Sequence, residues 1–152
     1  MIYEGKIQGE GKKVAIIWSR FNEFVGSKLL SGALDAFIKH GTDEKDIDIY
    51  KVPGAFEITY ILNTVIKKNY DAILCLGVLI KGDTPHFDYI AGQVARGISS
   101  ISFQTDIPII FGVLTTYNIE QAIARAGSKH GNKGYECAIN ALEMIDLKKN
   151  IQ

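Results

Sequence analysis

The chain alternates short apolar segments with longer segments of helical periodicity, four times in succession. The apolar segments are rich in β-branched and aliphatic residues and lie at residues 14–18, 47–52, 72–80 and 107–114. Helical patterns follow them at residues 24–40, 55–68, 85–104 and 118–149, the last with a glycine-rich interruption. Strands that alternate with helices form a parallel sheet with right-handed crossovers. We therefore predict an α/β fold with a four-stranded parallel sheet and helices on both faces.

Chain length sets the domain organisation. A chain of 152 residues forms one domain, here residues 1–152, and buries roughly 68–70% of its unfolded surface, so it needs no disulfide or metal to fold. Cys75 and Cys137 match no disulfide or zinc spacing, which predicts a reduced, cytoplasmic protein. The 47% of hydrophobic residues, with 15 glycines, is slightly above the usual apolar content and indicates subunit contacts.

The charge pattern argues against two classes of partner. Seventeen basic and 17 acidic residues are mixed along the chain, so there is no electrostatic footprint for nucleic acid or an anionic membrane. The longest apolar run has nine residues, too few to span a bilayer, and the first residues lack the features of a signal peptide. The isolated His40, His86 and His130 give little support to a metal site.

Candidate functional residues follow the predicted strands, because ligands of open α/β sheets bind beyond the carboxyl ends of the strands. The four loops at that edge are residues 19–22, 53–57, 81–86 and 115–118.

The third loop, Gly-Asp-Thr-Pro-His, has the strongest chemical signal. We predict Thr84 as a helix N-cap and Pro85 as the first helical residue, so that backbone N–H groups and the positive end of the helix dipole favour an anion. A neutral His86 imidazole there accepts and returns protons near pH 7. The alternative is an ordinary capped helix start with an exposed histidine.

Aromatic residues mark the first two loops. Phe21 precedes Asn22, and Phe56 precedes Glu57. An aromatic ring beside a hydrogen-bonding group suits a flat heterocycle that carries hydroxyls. The alternative is that both rings complete the core.

The segment Arg125–Gly134 interrupts the last helical pattern with glycines and basic side chains. Glycines let the backbone approach an oxyanion, and Arg125 offers two parallel hydrogen bonds to it. The segment lacks Walker spacing and follows no strand, which excludes a nucleoside triphosphatase. The alternative is a turn between helices with solvated charges.

Five motifs in order resemble the 6,7-dimethyl-8-ribityllumazine synthase family. They are Ser-Arg-Phe-Asn at 19–22, Val-Pro-Gly-Ala-Phe-Glu-Ile at 52–58, Gly-Val-Leu-Ile-Lys-Gly-Asp-Thr-Pro-His-Phe-Asp-Tyr-Ile at 77–90, Pro-Ile-Ile-Phe-Gly-Val-Leu-Thr-Thr at 108–116 and Gln-Ala-Ile-Ala-Arg-Ala-Gly-Ser-Lys-His-Gly-Asn-Lys-Gly at 121–134. Together they cover nearly the whole chain. The resemblance implies a flavodoxin-like three-layer sandwich whose N-terminal strand, here within residues 2–7, joins the sheet of a neighbouring subunit.

The implied reaction is the penultimate step of riboflavin biosynthesis, without a cofactor. It condenses 5-amino-6-ribitylaminouracil with 3,4-dihydroxy-2-butanone 4-phosphate. The resemblance implies His86 as the proton shuttle, Asp83, Thr84 and Arg125 as phosphate ligands, and Lys133 and Glu136 as lesser candidates. The implied residues of the aminouracil and ribityl site are Phe21, Asn22, Ala55, Phe56, Glu57, Val78, Leu79, Ile80 and Phe111.

The resemblance also implies an assembly. Family members form pentamers, and some close twelve pentamers into a 60-subunit shell with riboflavin synthase as a further partner. The tight turn at residues 127–132 resembles the shell-forming members. Trp18 stands where the family commonly has a smaller residue, so it could crowd the pocket or stack on a flavin-like ligand. A non-catalytic binding or shell protein with the same fold is the alternative to the enzyme.

Overall fold

Four parallel strands form the central sheet, in the order β2-β1-β3-β4. The strands are β1 (Val14–Ser19), β2 (Ile47–Val52), β3 (Ala72–Ile80) and β4 (Ile109–Thr116). This computed structural model describes residues 1–128 and 131–152. The predicted α/β class, the strand number and the parallel direction are all confirmed.

Within residues 1–128 and 131–152, five helices pack around the sheet. They are α1 (Glu23–Lys39), α2 (Ile58–Val65), α3 (His86–Ser102), α4 (Ile119–Arg125) and α5 (Lys133–Ile151). Single 3-10 turns lie at Glu44–Asp46 and Ala55–Glu57. A short antiparallel pair, β5 (Ala126–Ser128) and β6 (Gly131–Asn132), separates α4 from α5 where the glycine-rich interruption was predicted.

Alternating side chains of each strand pack against different helices. Ile16, Leu74 and Leu142 belong to the core between the sheet and helices α1 and α5, whereas Ile17 and Ile73 belong to the core on the side of α2 and α3. Every residue of β1 is buried, as expected for a central parallel strand covered on both faces. The predicted three-layer arrangement is therefore present.

Two elements differ from their predicted bounds. β4 begins two residues later than predicted because Pro108 has no N–H for the ladder; its carbonyl still accepts from the Ile73 N–H at 3.0 Å. The strand then continues to Thr116, since threonine is a good strand residue. The helical pattern at 55–68 begins as a 3-10 turn, and only residues 58–65 are α-helical.

The N-terminal residues run along α5 without forming a strand in this chain. The Lys6 N–H donates to Asp146 Oδ2 at 2.7 Å, and the Gly9 N–H donates to the His40 carbonyl at 2.8 Å. Met1 and Ile2 are fully exposed. A strand shared with a neighbouring subunit stays a prediction.

Among the described residues, no helix has both the length and the apolar character to cross a membrane.

Candidate active site

Three loops meet at the carboxyl edge of β1, β2 and β3. Because β1 lies between β2 and β3, the loop at residues 19–22 has the loop at 53–57 on one side and the loop at 81–86 on the other. This edge is where open parallel sheets bind ligands.

The first loop presents an aromatic ring to solvent. Phe21 is 65% exposed, which excludes the alternative that its ring completes the core. Hydrogen bonds to the second loop fix its backbone, since the Arg20 N–H donates to the Val52 carbonyl at 2.9 Å and the Phe21 N–H to the Pro53 carbonyl at 3.1 Å. The ring is therefore available as a platform.

The second loop presents Phe56 beside Glu57. Phe56 is 55% exposed and Glu57 is half-buried, and both are carried by the 3-10 turn that the Glu57 N–H closes on the Gly54 carbonyl at 3.2 Å. Ala55 differs, because its side chain is buried in the core on the α2 side. Only the backbone of Ala55 can face a ligand.

The end of β3 contributes backbone rather than side chains. The side chain of Val78 is buried against α1 and α4, and Leu79 and Ile80 are half-buried. The Val78 carbonyl accepts a hydrogen bond from Asn22 Nδ2 at 3.2 Å.

The third loop is exposed from residue 81 to residue 86. α3 begins at His86 with Pro85 in the capping position, one residue later than predicted, and no side chain caps the helix. The prediction that Thr84 is the N-cap is therefore wrong. The Pro85 carbonyl accepts from the N–H groups of Asp88 and Tyr89, so the first helical turn starts at the proline.

The remaining predicted residues form a second cluster. Arg125 at the end of α4 and Lys133 and Glu136 in the first turn of α5 line a cavity of about 1070 Å³, together with the end of β4. No described residue of the first three loops lines this cavity. The predicted phosphate ligands Asp83 and Arg125 are thus carried by different clusters. Lys129 and His130, within the predicted phosphate segment, lie outside the described residues.

Phe111 lies far from the carboxyl edge within its own chain. It pairs with Cys75 in the ladder and precedes Thr116, the end of β4, by five residues, a rise of roughly 16 Å. With Phe87 and Tyr117 it lines an apolar groove of about 320 Å³ between β4 and α3. Phe111 therefore cannot wall a pocket built on Phe21 of the same chain.

Tyr117 is a candidate site residue that the motifs did not single out. It is 70% exposed, it lines both the large cavity and the groove of Phe111, and Lys81 Nζ lies 5.6 Å from its ring centroid. The sequence could have identified Tyr117 as an aromatic residue in the loop that follows the fourth predicted strand.

Trp18 does not crowd the site. It is 6% exposed, its Nε1–H donates to the Gly26 carbonyl at 3.0 Å, and Lys51 Nζ covers the ring at 5.0 Å. The prediction that it could stack on a ligand is wrong, because the alternation along β1 turns residue 18 toward α1.

Neither cysteine is placed to act as a nucleophile. Cys75 is fully buried, and burial raises the pKa of its thiol far above the ordinary value. Burial also raises the pKa of the Cys137 thiol to about 11, although the nearby Lys133 ammonium lowers it. Across residues 1–128 and 131–152, no three His, Cys, Asp or Glu side chains are grouped to hold a metal.

Comparison with known proteins is decisive for the family. A family model described as 6,7-dimethyl-8-ribityllumazine synthase matches residues 11–149. Proteins named 6,7-dimethyl-8-ribityllumazine synthase in two strains of Clostridium kluyveri are 54% identical over 152 residues, covering 99% of both chains. The chain therefore belongs to the 6,7-dimethyl-8-ribityllumazine synthase family, the transferases of riboflavin biosynthesis that condense an aminouracil with a butanone phosphate.

Proposed function

We propose that this chain catalyses the family's condensation at sites that two copies build together. The products are 6,7-dimethyl-8-ribityllumazine, phosphate and water. The observation that supports the two-copy site is that Phe21 and His86 line neither the cavity of Arg125 nor the groove of Phe111.

The first cluster binds the aminouracil. The exposed Phe21 ring stacks on the pyrimidine, and Phe56 bounds the same site. The Glu57 carboxylate, the Ala55 backbone and the strand-end backbone of residues 78–80 hydrogen-bond the ring and the ribityl hydroxyls, and Asn22 assists from the first loop. Exposed loops on a rigid sheet edge are suited to this, because the scaffold holds the reacting atoms in place.

His86 transfers protons. The 5-amino group of the uracil attacks the butanone carbonyl and forms an imine with loss of one water. Phosphate is then eliminated, and the resulting enol tautomerises to a second carbonyl. The ribitylamino nitrogen attacks this carbonyl and closes the ring with loss of a second water. Each step moves a proton to or from an oxygen or nitrogen, which the exposed His86 imidazole can accept and return. No protein nucleophile is required, in agreement with two buried thiols.

The phosphate is held from two sides. The N–H groups of Asp83 and Thr84 precede the N-terminus of α3, a 17-residue helix whose dipole favours an anion. Arg125 and Lys133 of a neighbouring copy supply the positive charge that balances the phosphate. Because the two residues line the same cavity, Lys133 also binds the phosphate directly in this proposal. Glu136 lines the same cavity.

Repeating the same contact between copies closes a ring. A heterologous interface that joins one surface to a different surface generates a cyclic oligomer when the rotation closes. We expect a pentamer in which the neighbour's Phe111 walls the pocket and the exposed N-terminal residues join an adjacent sheet. Twelve pentamers would form the 60-subunit shell, with riboflavin synthase as a partner. The free thiols of Cys75 and Cys137 support a cytoplasmic location.

Subunit complementation tests the two-copy site. His86→Ala and Arg125→Ala chains with different tags are co-expressed, and mixed oligomers are isolated by purification on both tags. With random mixing, roughly a quarter of the interfaces combine an intact His86 with an intact Arg125, so lumazine formation rises above that of either variant alone. The assay follows lumazine absorbance and fluorescence against the uncatalysed rate.

Two controls make the result interpretable. Oligomers of each variant mixed without subunit exchange must show no gain, and light scattering must give five or sixty times the 16.8 kDa chain mass. Equal activity of mixed and unmixed oligomers would mean that each chain builds its own site. Wild-type turnover no faster than the uncatalysed reaction would instead support a binding or shell protein.

A further inference from the structure

Asn22 holds a backbone conformation that side chains rarely adopt. Its φ of 60° and ψ of 45° lie in the left-handed region, and it is the one non-glycine residue with positive φ in the part of the chain that the structure describes. Asparagine tolerates this region better than most residues, yet the conformation still has a cost. Residues held in such conformations cluster at functional sites, where the surrounding structure fixes them.

The side chain of Asn22 also departs from the usual role of its position. Asn22 immediately precedes α1, but its side chain makes no capping hydrogen bond to the helix. Asn118 and Asn132 hold the equivalent positions before α4 and α5, and each accepts a backbone N–H through its side chain, at 2.8 and 3.0 Å. Asn22 instead donates from Nδ2 to the Val78 carbonyl, 56 residues away along the chain.

This hydrogen bond continues the connection between β1 and β3 after their ladder has ended. The last paired residues of these strands are Trp18 and Leu76. Beyond them β1 ends at Ser19 beside β2, and β3 continues to Ile80 beside β4, so the Asn22 side chain joins the first loop to this last part of β3. On the other side, the Phe21 N–H donates to the Pro53 carbonyl. The backbone around Phe21 is therefore fixed by one hydrogen bond to the residue that follows β2 and by one to β3.

We infer that Asn22 is a positioning residue for the aminouracil, which fixes the Phe21 ring relative to the end of β3. The ring has no buried surroundings to hold it, so its direction depends on the backbone on which it is mounted. A stacking platform gains affinity when its geometry is fixed before binding. The inference rests on the proposed function, because it assigns Phe21 to the pyrimidine.

A double-mutant cycle on product binding tests this role. The dissociation constant of 6,7-dimethyl-8-ribityllumazine is measured by its fluorescence in the wild-type oligomer and in the Asn22→Gly, Phe21→Ala and double variants. Glycine keeps the left-handed backbone and removes the hydrogen bond. We expect Asn22→Gly to weaken binding by roughly 10- to 100-fold in the wild-type background and by less than about twofold when Phe21 is absent.

A second variant separates the hydrogen bond from the backbone. Asn22→Asp tolerates the left-handed conformation but has no donor for the Val78 carbonyl, so it should weaken binding like Asn22→Gly. Asn69→Gly, an exposed asparagine before the amino end of β3, is the matched control and should leave binding unchanged. Thermal unfolding of all variants checks that the oligomer is folded.

The outcomes distinguish this inference from the proposed function. Additive effects of Phe21→Ala and Asn22→Gly would show that Asn22 acts independently of the ring, and the inference would be overturned while the stacking role stands. Wild-type affinity in Asn22→Asp would overturn it too, because the donor would be dispensable. Wild-type affinity in Phe21→Ala would overturn the stacking role and the inference together.

Discussion

At the scale of single residues, the two residues proposed to act on the substrates lie where the chain changes direction. His86 is the first residue of α3, directly after the loop that leaves β3, and Arg125 is the last residue of α4. Both side chains are exposed in the single chain. Their chemistry therefore depends on charge and placement rather than on burial, since exposed groups keep their full reach toward a substrate or another copy.

Replacing these two residues should affect different kinetic parameters. His86→Ala should lower kcat by up to about 10²–10⁴-fold without abolishing turnover, because it removes proton transfer and leaves substrate positioning intact.

Arg125→Ala should raise the KM for the butanone phosphate and leave the KM for the aminouracil unchanged. Arg125→Lys keeps the charge but cannot make the two parallel hydrogen bonds, so its KM for the butanone phosphate should lie between those of the wild type and Arg125→Ala. Steady-state kinetics with each substrate varied in turn measures both; unchanged kinetics in Arg125→Ala would contradict the phosphate assignment.

At the scale of elements, the position of α5 depends on a close approach to α1. A Cβ at Gly134 would collide with the backbone carbonyl of Leu29, so only glycine allows this crossing. The same first turn of α5 carries Lys133 and Glu136 into the large cavity. The close packing of α1 against α5 thus fixes where Lys133, a proposed phosphate ligand, lies.

Gly134→Ala should therefore lower both stability and phosphate binding. The added methyl group meets backbone that cannot rotate away, so we expect a loss of about 1–3 kcal/mol in the free energy of unfolding. For a chain of this size the loss lowers Tm by roughly 2–12 °C, measured by calorimetry. Gly92→Ala in α3 is the control: nothing lies within 4 Å of its Cβ position, so the better helix propensity should stabilise by up to about 1 kcal/mol. Equal Tm values for the two variants would refute the close approach.

At the scale of the whole molecule, the two ends of the chain are joined. The Lys6 N–H donates to Asp146 in α5, 140 residues away, and Asn150 Nδ2 also donates to the Asp146 carboxylate. The backbone hydrogen bond from Lys6 holds the pKa of Asp146 below its ordinary value. The N-terminal segment, which we expect to reach a neighbouring copy, is thus attached through a titratable group.

Acid should detach this segment before the core unfolds. Because the pKa of Asp146 is lowered in the folded chain, its contribution is complete above the ordinary carboxyl pKa of 3.8 and is lost as the pH falls through the folded value. The protection of the Lys6 amide, taken relative to the intrinsic exchange rate at each pH, should therefore fall below pH 3.8, while that of the buried Leu74 amide does not. Asp146→Asn keeps an acceptor that does not titrate, so it should remove the pH step at Lys6. A parallel loss of protection at Lys6 and Leu74 would indicate global unfolding instead.

Much of the fold followed from local patterns. Runs of β-branched and aliphatic residues predicted the four strands. The continuous runs of β1 and β3 are buried on both faces, whereas β2, at the edge of the sheet, alternates half-buried with exposed residues between its buried ends. The exact ends of β4 and α3 did not follow: Pro108 shortened the ladder, and Thr84 made no cap. Such ends depend on which backbone groups find partners, and these partners come from distant parts of the chain.

The sequence by itself determined the α/β class, the loops that carry Phe21, Phe56 and His86, and the family. These are properties of residue type and order, which periodicity and motifs record directly. Only the tertiary structure decided that Trp18 is buried, that Arg125 and Lys133 share a cavity, and that Phe111 lies far from Phe21 in the same chain. The physical reason is that strand register and helix crossing set side-chain direction and distance. Because neither Phe21 nor His86 lines the cavity of Arg125 and Lys133, we expect a second copy to bring these cations to the phosphate.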